Sequence, residues 1–102
     1  SGIKVMLAAN TFNQSKIVVM YKLVPVGYGG NLDDLEFQFF NTDGKPDSGE
    51  LVPQNDLTTF TDYEFTIEDT DDFDAFQIKI SLLSWRQPYI PRVKDFRAIA
   101  LA

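Results

Sequence analysis

The residue types best suited to gripping another molecule gather in one short stretch, Trp85-Arg86-Gln87-Pro88-Tyr89, followed by Ile90-Pro91. Trp, Arg and Tyr combine rigid contact area with a polar handle, and they are enriched where binding energy concentrates. Trp85, Arg86, Gln87 and Tyr89 are therefore the candidate ligand- or partner-binding residues. A plainer reading has Trp85 capping one end of a core and Tyr89 packing beside the prolines. Two other stretches are rich in oxygen ligands. Asn41-Thr42-Asp43-Gly44-Lys45-Pro46-Asp47-Ser48-Gly49-Glu50 resembles a calcium loop in composition. Counted from Asn41, however, Gly44 comes two places early and position 12 is Val52, so the EF-hand spacing fails. Consecutive turns held by side-chain-to-backbone bonds are the expectation there. Glu68-Asp69-Thr70-Asp71-Asp72-Phe73-Asp74 carries five carboxylates in seven residues and reads as a solvated hairpin loop pinned by Phe73. No metal and no cofactor are expected.

Catalysis has little to work with. The chain contains neither histidine nor cysteine, which removes His-based general bases, thiol nucleophiles, disulfides and zinc or haem sites. Carboxylates are too numerous for spacing to single out a glycosidase pair. Gly27-Tyr28-Gly29-Gly30 is no phosphate loop, because no helix pattern follows it. No catalytic residue is assigned, and a non-enzymatic role is expected.

The elements that must position these residues are β-strands. Val, Ile and Thr supply seven residues each and aromatics fourteen more, while alanine contributes only six. Such residues suit a pleated, half-buried surface. Period-two alternation marks Leu35–Phe39, Tyr63–Ile67 and Phe76–Leu82, each with one wet face. Ile3–Ala9, Ile17–Val24 and Val93–Leu101 are apolar on both faces and should be central or covered. Turn residues fall at 10–16, 25–34, 41–55, 69–74 and 84–92. The fold class expected is all-β, an antiparallel β-sandwich of jelly-roll type, with a small closed barrel as the competing architecture. Phe37, Phe65, Phe76, Ile78, Ile80 and Phe96 form the expected core.

With 102 residues and 44% hydrophobic content, residues 3–102 make one domain. Ser1-Gly2 reads as an expression scar, and the whole as a C-terminal fragment of a larger protein. No apolar run reaches the roughly 18 residues of a membrane span, so membrane insertion is not expected. The net charge of −6 opposes nucleic-acid binding. That charge is unevenly placed: residues 33–74 sum to −13, residues 1–32 to +3 and residues 75–102 to +4. A solvated acidic loop side explains this, as does electrostatic complementarity between stacked copies or with a basic neighbour.

One resemblance sharpens the picture. Phe76-Gln77-Ile78-Lys79-Ile80-Ser81-Leu82-Leu83-Ser84, a loop, then Pro91-Arg92-Val93-Lys94-Asp95-Phe96-Arg97-Ala98-Ile99-Ala100-Leu101 is similar to a strand–loop–strand ending of tailed-bacteriophage virion proteins. It looks most like tail, baseplate or fibre components of T4-like phages. Met20–Leu23, Leu32–Glu36 and Phe39–Asp47 fit the same kind of module, so the likeness spans about the last 80 residues. Trp85-Arg86 departs from it, standing where small polar residues belong. The resemblance implies a structural or attachment domain located in the virion. Its partners would be other virion proteins, copies of itself or a host-surface glycan. A related ending occurs in jelly-roll sugar-binding modules, which would use Trp85, Tyr89 and Tyr28 for stacking and Arg86 and Gln87 for hydroxyls. A non-viral adhesion domain fits the same architecture.

Overall fold

A computed structural model describes residues 1–84 and 90–102. Six strands organise them: β1 (Gly2–Asn10), β2 (Lys16–Pro25), β3 (Gln38–Phe39), β4 (Thr61–Ile67), β5 (Phe73–Leu83) and β6 (Arg92–Leu101). They form two three-stranded antiparallel sheets, ordered β4-β1-β6 and β3-β2-β5. Every connection except β2–β3 passes from one sheet to the other. The only helical pieces among the described residues are 3-10 turns at Leu32–Asp34 and Phe40–Thr42. No described helix is long and apolar enough to cross a membrane.

The two strands apolar on both faces at the N-terminal end are indeed the central ones. β1 lies between β4 and β6, and β2 between β3 and β5. Ile3, Val5, Leu7 and Ala9 of β1 join Ile17, Val19 and Tyr21 of β2, Tyr63 and Phe65 of β4, and Phe40 in one buried cluster. Both sheets thus feed a single core. The second face of β2 is covered locally. Lys22 is buried, donates to the Leu32 carbonyl at 3.0 Å, and lies 4.5 Å from the Phe37 ring centroid. Its aliphatic stem and the cation–π contact with Phe37 cover that face around Lys22.

Several expectations are corrected. The alternating run Leu35–Phe39 gives only the two-residue β3. Upstream, the Asn31 side chain caps the Leu32–Asp34 turn by accepting from the Asp33 N–H. Downstream, Asn41 and Thr42 adopt positive φ and bend the chain inward. That bend buries Phe40 completely and leaves Phe39 46% exposed. Phe37 is therefore a cover on the outer sheet face, under Lys22 and Lys79, and not a core residue. Phe65 is core as expected, while Phe76, Ile78 and Ile80 pack against the cluster only partly buried.

Val93–Leu101 is an edge strand, not a central one, and Phe96 is 46% exposed. Its register on β1 slips between Met6 and Ala8, where Asp95 takes a positive φ of 55°. Such a bulge re-aims the side chains beside it. Ser1-Gly2 also belongs to the fold. Gly2 pairs with Leu101 in β1, and a Cβ there would collide with the Ile67 carbonyl oxygen.

Candidate functional site

Trp85, Arg86, Gln87 and Tyr89, the residues singled out for binding, lie outside the described residues. Their borders are described: Leu83 and Ile90 are about half exposed, and Pro91 is buried.

Several side chains of the oxygen-rich loops bond other parts of the chain. In the 41–50 loop, Asp43 accepts from the Lys45 N–H at 2.9 Å, an Asx turn of the expected kind. Asn41 donates to the Lys45 carbonyl and to Asp47, each at 2.9 Å. Asp47 then reaches across 19 residues to β4. Its N–H donates to the Glu64 carbonyl, and its carboxylate accepts from the Thr66 N–H and hydroxyl. One residue thereby stands in for a strand partner along the outer edge of β4. Lys45 pairs with Glu50 at 2.8 Å, and this hydrogen bond raises its pKa from the ordinary lysine value.

Gly44 makes the loop's close approach possible. It sits at φ +78°, where a side chain would meet Val18 and Phe39, and its carbonyl accepts from the Val19 N–H at 3.1 Å. In the 68–74 loop, Asp72 accepts from the Ser1 hydroxyl and Asp74 from the Gly27 N–H, each at 3.0 Å. Among the described residues no group of three acidic side chains is placed to hold a metal ion.

The 51–60 segment is anchored by a residue to which sequence reasoning gave no role. Asn10, buried at the end of β1, donates to the carbonyls of Asp56 and Thr59 at 2.9 and 2.7 Å. Asp56 closes this loop by accepting from the N–H groups of Thr58 and Thr59 and the Thr59 hydroxyl. The Thr59 backbone bond, then its hydroxyl, hold the Asp56 carboxyl below its ordinary pKa. An open depression of about 540 Å³ lies beside this end, lined by Thr11, Ser15, Lys16, Glu50 and Leu83 among others. It lies where the 43–53 segment meets the start of β2 and the end of β5.

The larger feature is the flank bordered by β5 and β6. Each of these strands pairs with one neighbour, and they are not hydrogen-bonded to each other. On β5, Ile78, Ile80 and Leu82 stand opposite the buried Tyr21, Val19 and Ile17 and so face the core side. They are nevertheless only partly covered, and Leu82 is 47% exposed. Across the gap, β6 sets Ala100, Ala98 and Val93 opposite Ile3, Val5 and Ala9. Alanines are too small to seal the flank. The opposite side of the molecule is closed by Phe40, whose ring meets Tyr21 at 4.9 Å and Phe65 at 6.1 Å. The alternation in β5 was readable in the sequence. That β5 is an edge was not, because pairing partners are set by the whole topology.

Against protein-family models, curated proteins and solved structures, the chain finds no match.

Proposed function

We propose that the chain is a non-enzymatic structural or attachment domain of a tailed-phage virion protein, of tail, baseplate or fibre type. Its two sheets would stack as a jelly-roll-like sandwich, a reading supported by the shared core and the repeated crossing between sheets. It works by surface contact with other virion proteins, with copies of itself or with the host surface. The observation that carries a contact role is the apolar flank at β5 and β6, since a contiguous apolar patch rimmed by polar residues marks an interaction site. The virion assignment rests on the resemblance of Phe76–Ser84 and Pro91–Leu101 to tail, baseplate and fibre endings. Those two segments include most of the two strands that border the flank.

Mass spectrometry of gradient-purified phage particles, from cells carrying the gene, tests the virion assignment. Peptides of this chain should co-purify with the particles in proportion to known tail components. Their recovery only from the cell-surface or secreted fraction would contradict it.

A further inference from the structure

We infer that the outer face of the β4-β1-β6 sheet pairs with the same face of a second copy, about a two-fold axis parallel to β1. This is the side of β6 turned away from the apolar flank, so the contact is additional to the one proposed above.

The register sorts this face into columns. Ile3, Val5, Leu7 and Ala9 of β1 belong to the core, which leaves Lys4, Met6 and Ala8 on the opposite face. Directly opposed residues of paired strands share a face. Glu64 of β4 and Arg97 of β6 therefore flank Met6, and Asp62 and Lys94 flank Ala8. In these two rows one outer column is acidic, the centre is apolar and the other outer column is basic. Asp95 departs from the basic column because it lies in the bulge, out of the row pattern. Between the columns is a depression of about 490 Å³, lined by Met6, Asp62, Glu64, Asp95, Phe96 and Arg97 among others. Asp62 and Arg97 are exposed and form no ion pair among the described residues.

Such a face is complementary to itself in one orientation. A two-fold axis parallel to β1 lays the β4 of each copy over the β6 of the other. Glu64 then meets Arg97 of the second copy, twice by symmetry, and Met6 meets Met6 on the axis. An axis across the strands instead lays acid on acid and base on base. Lys4 is the one like-charge meeting on the chosen axis. Each Lys4 leans to its own Glu64 at 3.3 Å, so the two ammonium groups part to opposite sides. Lys94 leans across β1 to the Phe60 ring, 4.3 Å from its centroid, beside the buried Ala8. The row of Glu64, Met6 and Arg97 therefore carries the pairing. Aligned sheets pack about 10 Å apart and cross at about 30°, so rows further out diverge.

The face is small. Seven paired residues at about 3.4 Å and three strands about 4.8 Å apart give roughly 340 Å² per copy, or about 700 Å² in all. That is below the roughly 1,200 Å² of a standard stable interface, so the pair is weak and transient. Complementary charge fixes its orientation more than its strength. An isologous pair of this kind closes at two copies.

Charge reversal reads the contact on side chains that the fold leaves exposed. In sedimentation velocity at near-millimolar concentration and low salt, the native chain should form a reversible dimer with a Kd of roughly 0.1–1 mM. Arg97→Glu and Glu64→Arg should each weaken it at least about tenfold, since each makes both symmetric pairs repulsive. Mixed in equal amounts, the two variants should recover the native affinity within about threefold, because the reversed charges then meet across the axis. Salt at about 0.5 M should abolish the recovery. Melting temperatures within a few degrees of the native value show that both variants fold. A monomer at about 1 mM overturns the second copy as occupant. A dimer indifferent to both reversals overturns this face, and weakening without recovery on mixing overturns the Glu64–Arg97 contact. Growth beyond two copies overturns the two-fold axis. Particle peptides recovered alongside a monomer leave the virion assignment standing, and a dimer absent from particles leaves the pairing standing, so the two failures are distinguishable.

Discussion

At the residue scale, Asp43, Asp47, Asp56 and Asp74 each accept from the chain's own backbone. Asp47 is the clearest case, because its carboxylate satisfies the Thr66 N–H at an otherwise open edge of β4. Asp47→Ala should cost about 1–2 kcal/mol by leaving edge donors unpaired, and Asp47→Asn, which keeps one acceptor, about half that. Chemical denaturation with an unchanged slope would measure it. Asp56 carries a pH signature. Its pKa is lowered in the folded state, so its contribution is present above the ordinary aspartate value of 3.8 and fades as pH falls through the folded value. The gap in melting temperature between the native chain and Asp56→Ala should therefore be constant from pH 7 to 5 and shrink below pH 4. A gap that stays constant down to pH 2 would contradict the assignment. The Asx turn at Asp43 was legible from the sequence, because it spans two residues. The Asp47 and Asn10 contacts were not, because they join segments 19 and more than 40 residues apart.

At the element scale, hydrophobic pattern located the strands better than it located their neighbours. β1 and β2 are apolar on both faces and central, as the pattern implies. Val93–Leu101 carries a similar pattern and is an edge, since an outer face rich in apolar residues records coverage of any origin. Phe39 and Phe40 separate pattern from topology most sharply. Alternation through Leu35 and Phe37 points to Phe39 as the inward residue. The positive-φ bend at Asn41 and Thr42 selects Phe40 instead. Phe40→Ala should cost about 3–5 kcal/mol, the range for emptying a buried aromatic site. Phe39→Ala should cost under about 1.5 kcal/mol, since that ring is 46% exposed. Equal losses at the two positions would contradict the bend. Ile78→Ala should fall between them, because its side chain packs against the core only partly buried.

At the scale of the whole molecule, the shape follows from two small sheets that meet in one core. The extents are 47 × 25 × 21 Å and the radius of gyration 14.7 Å, above the roughly 13 Å of a compact chain of this length. Phe40 closes one long side; the other, bounded by β5 and β6, stays open with half-covered apolar groups. The sequence displays the charge asymmetry and the apolar strands, but only the assembled topology brings β5 to an edge. The contact role proposed for the domain is tested most directly by hydrogen exchange of the isolated domain and of the same chain in gradient-purified particles. Amides of β5 and β6 should gain protection in the particle. Unchanged exchange along both strands would contradict the account.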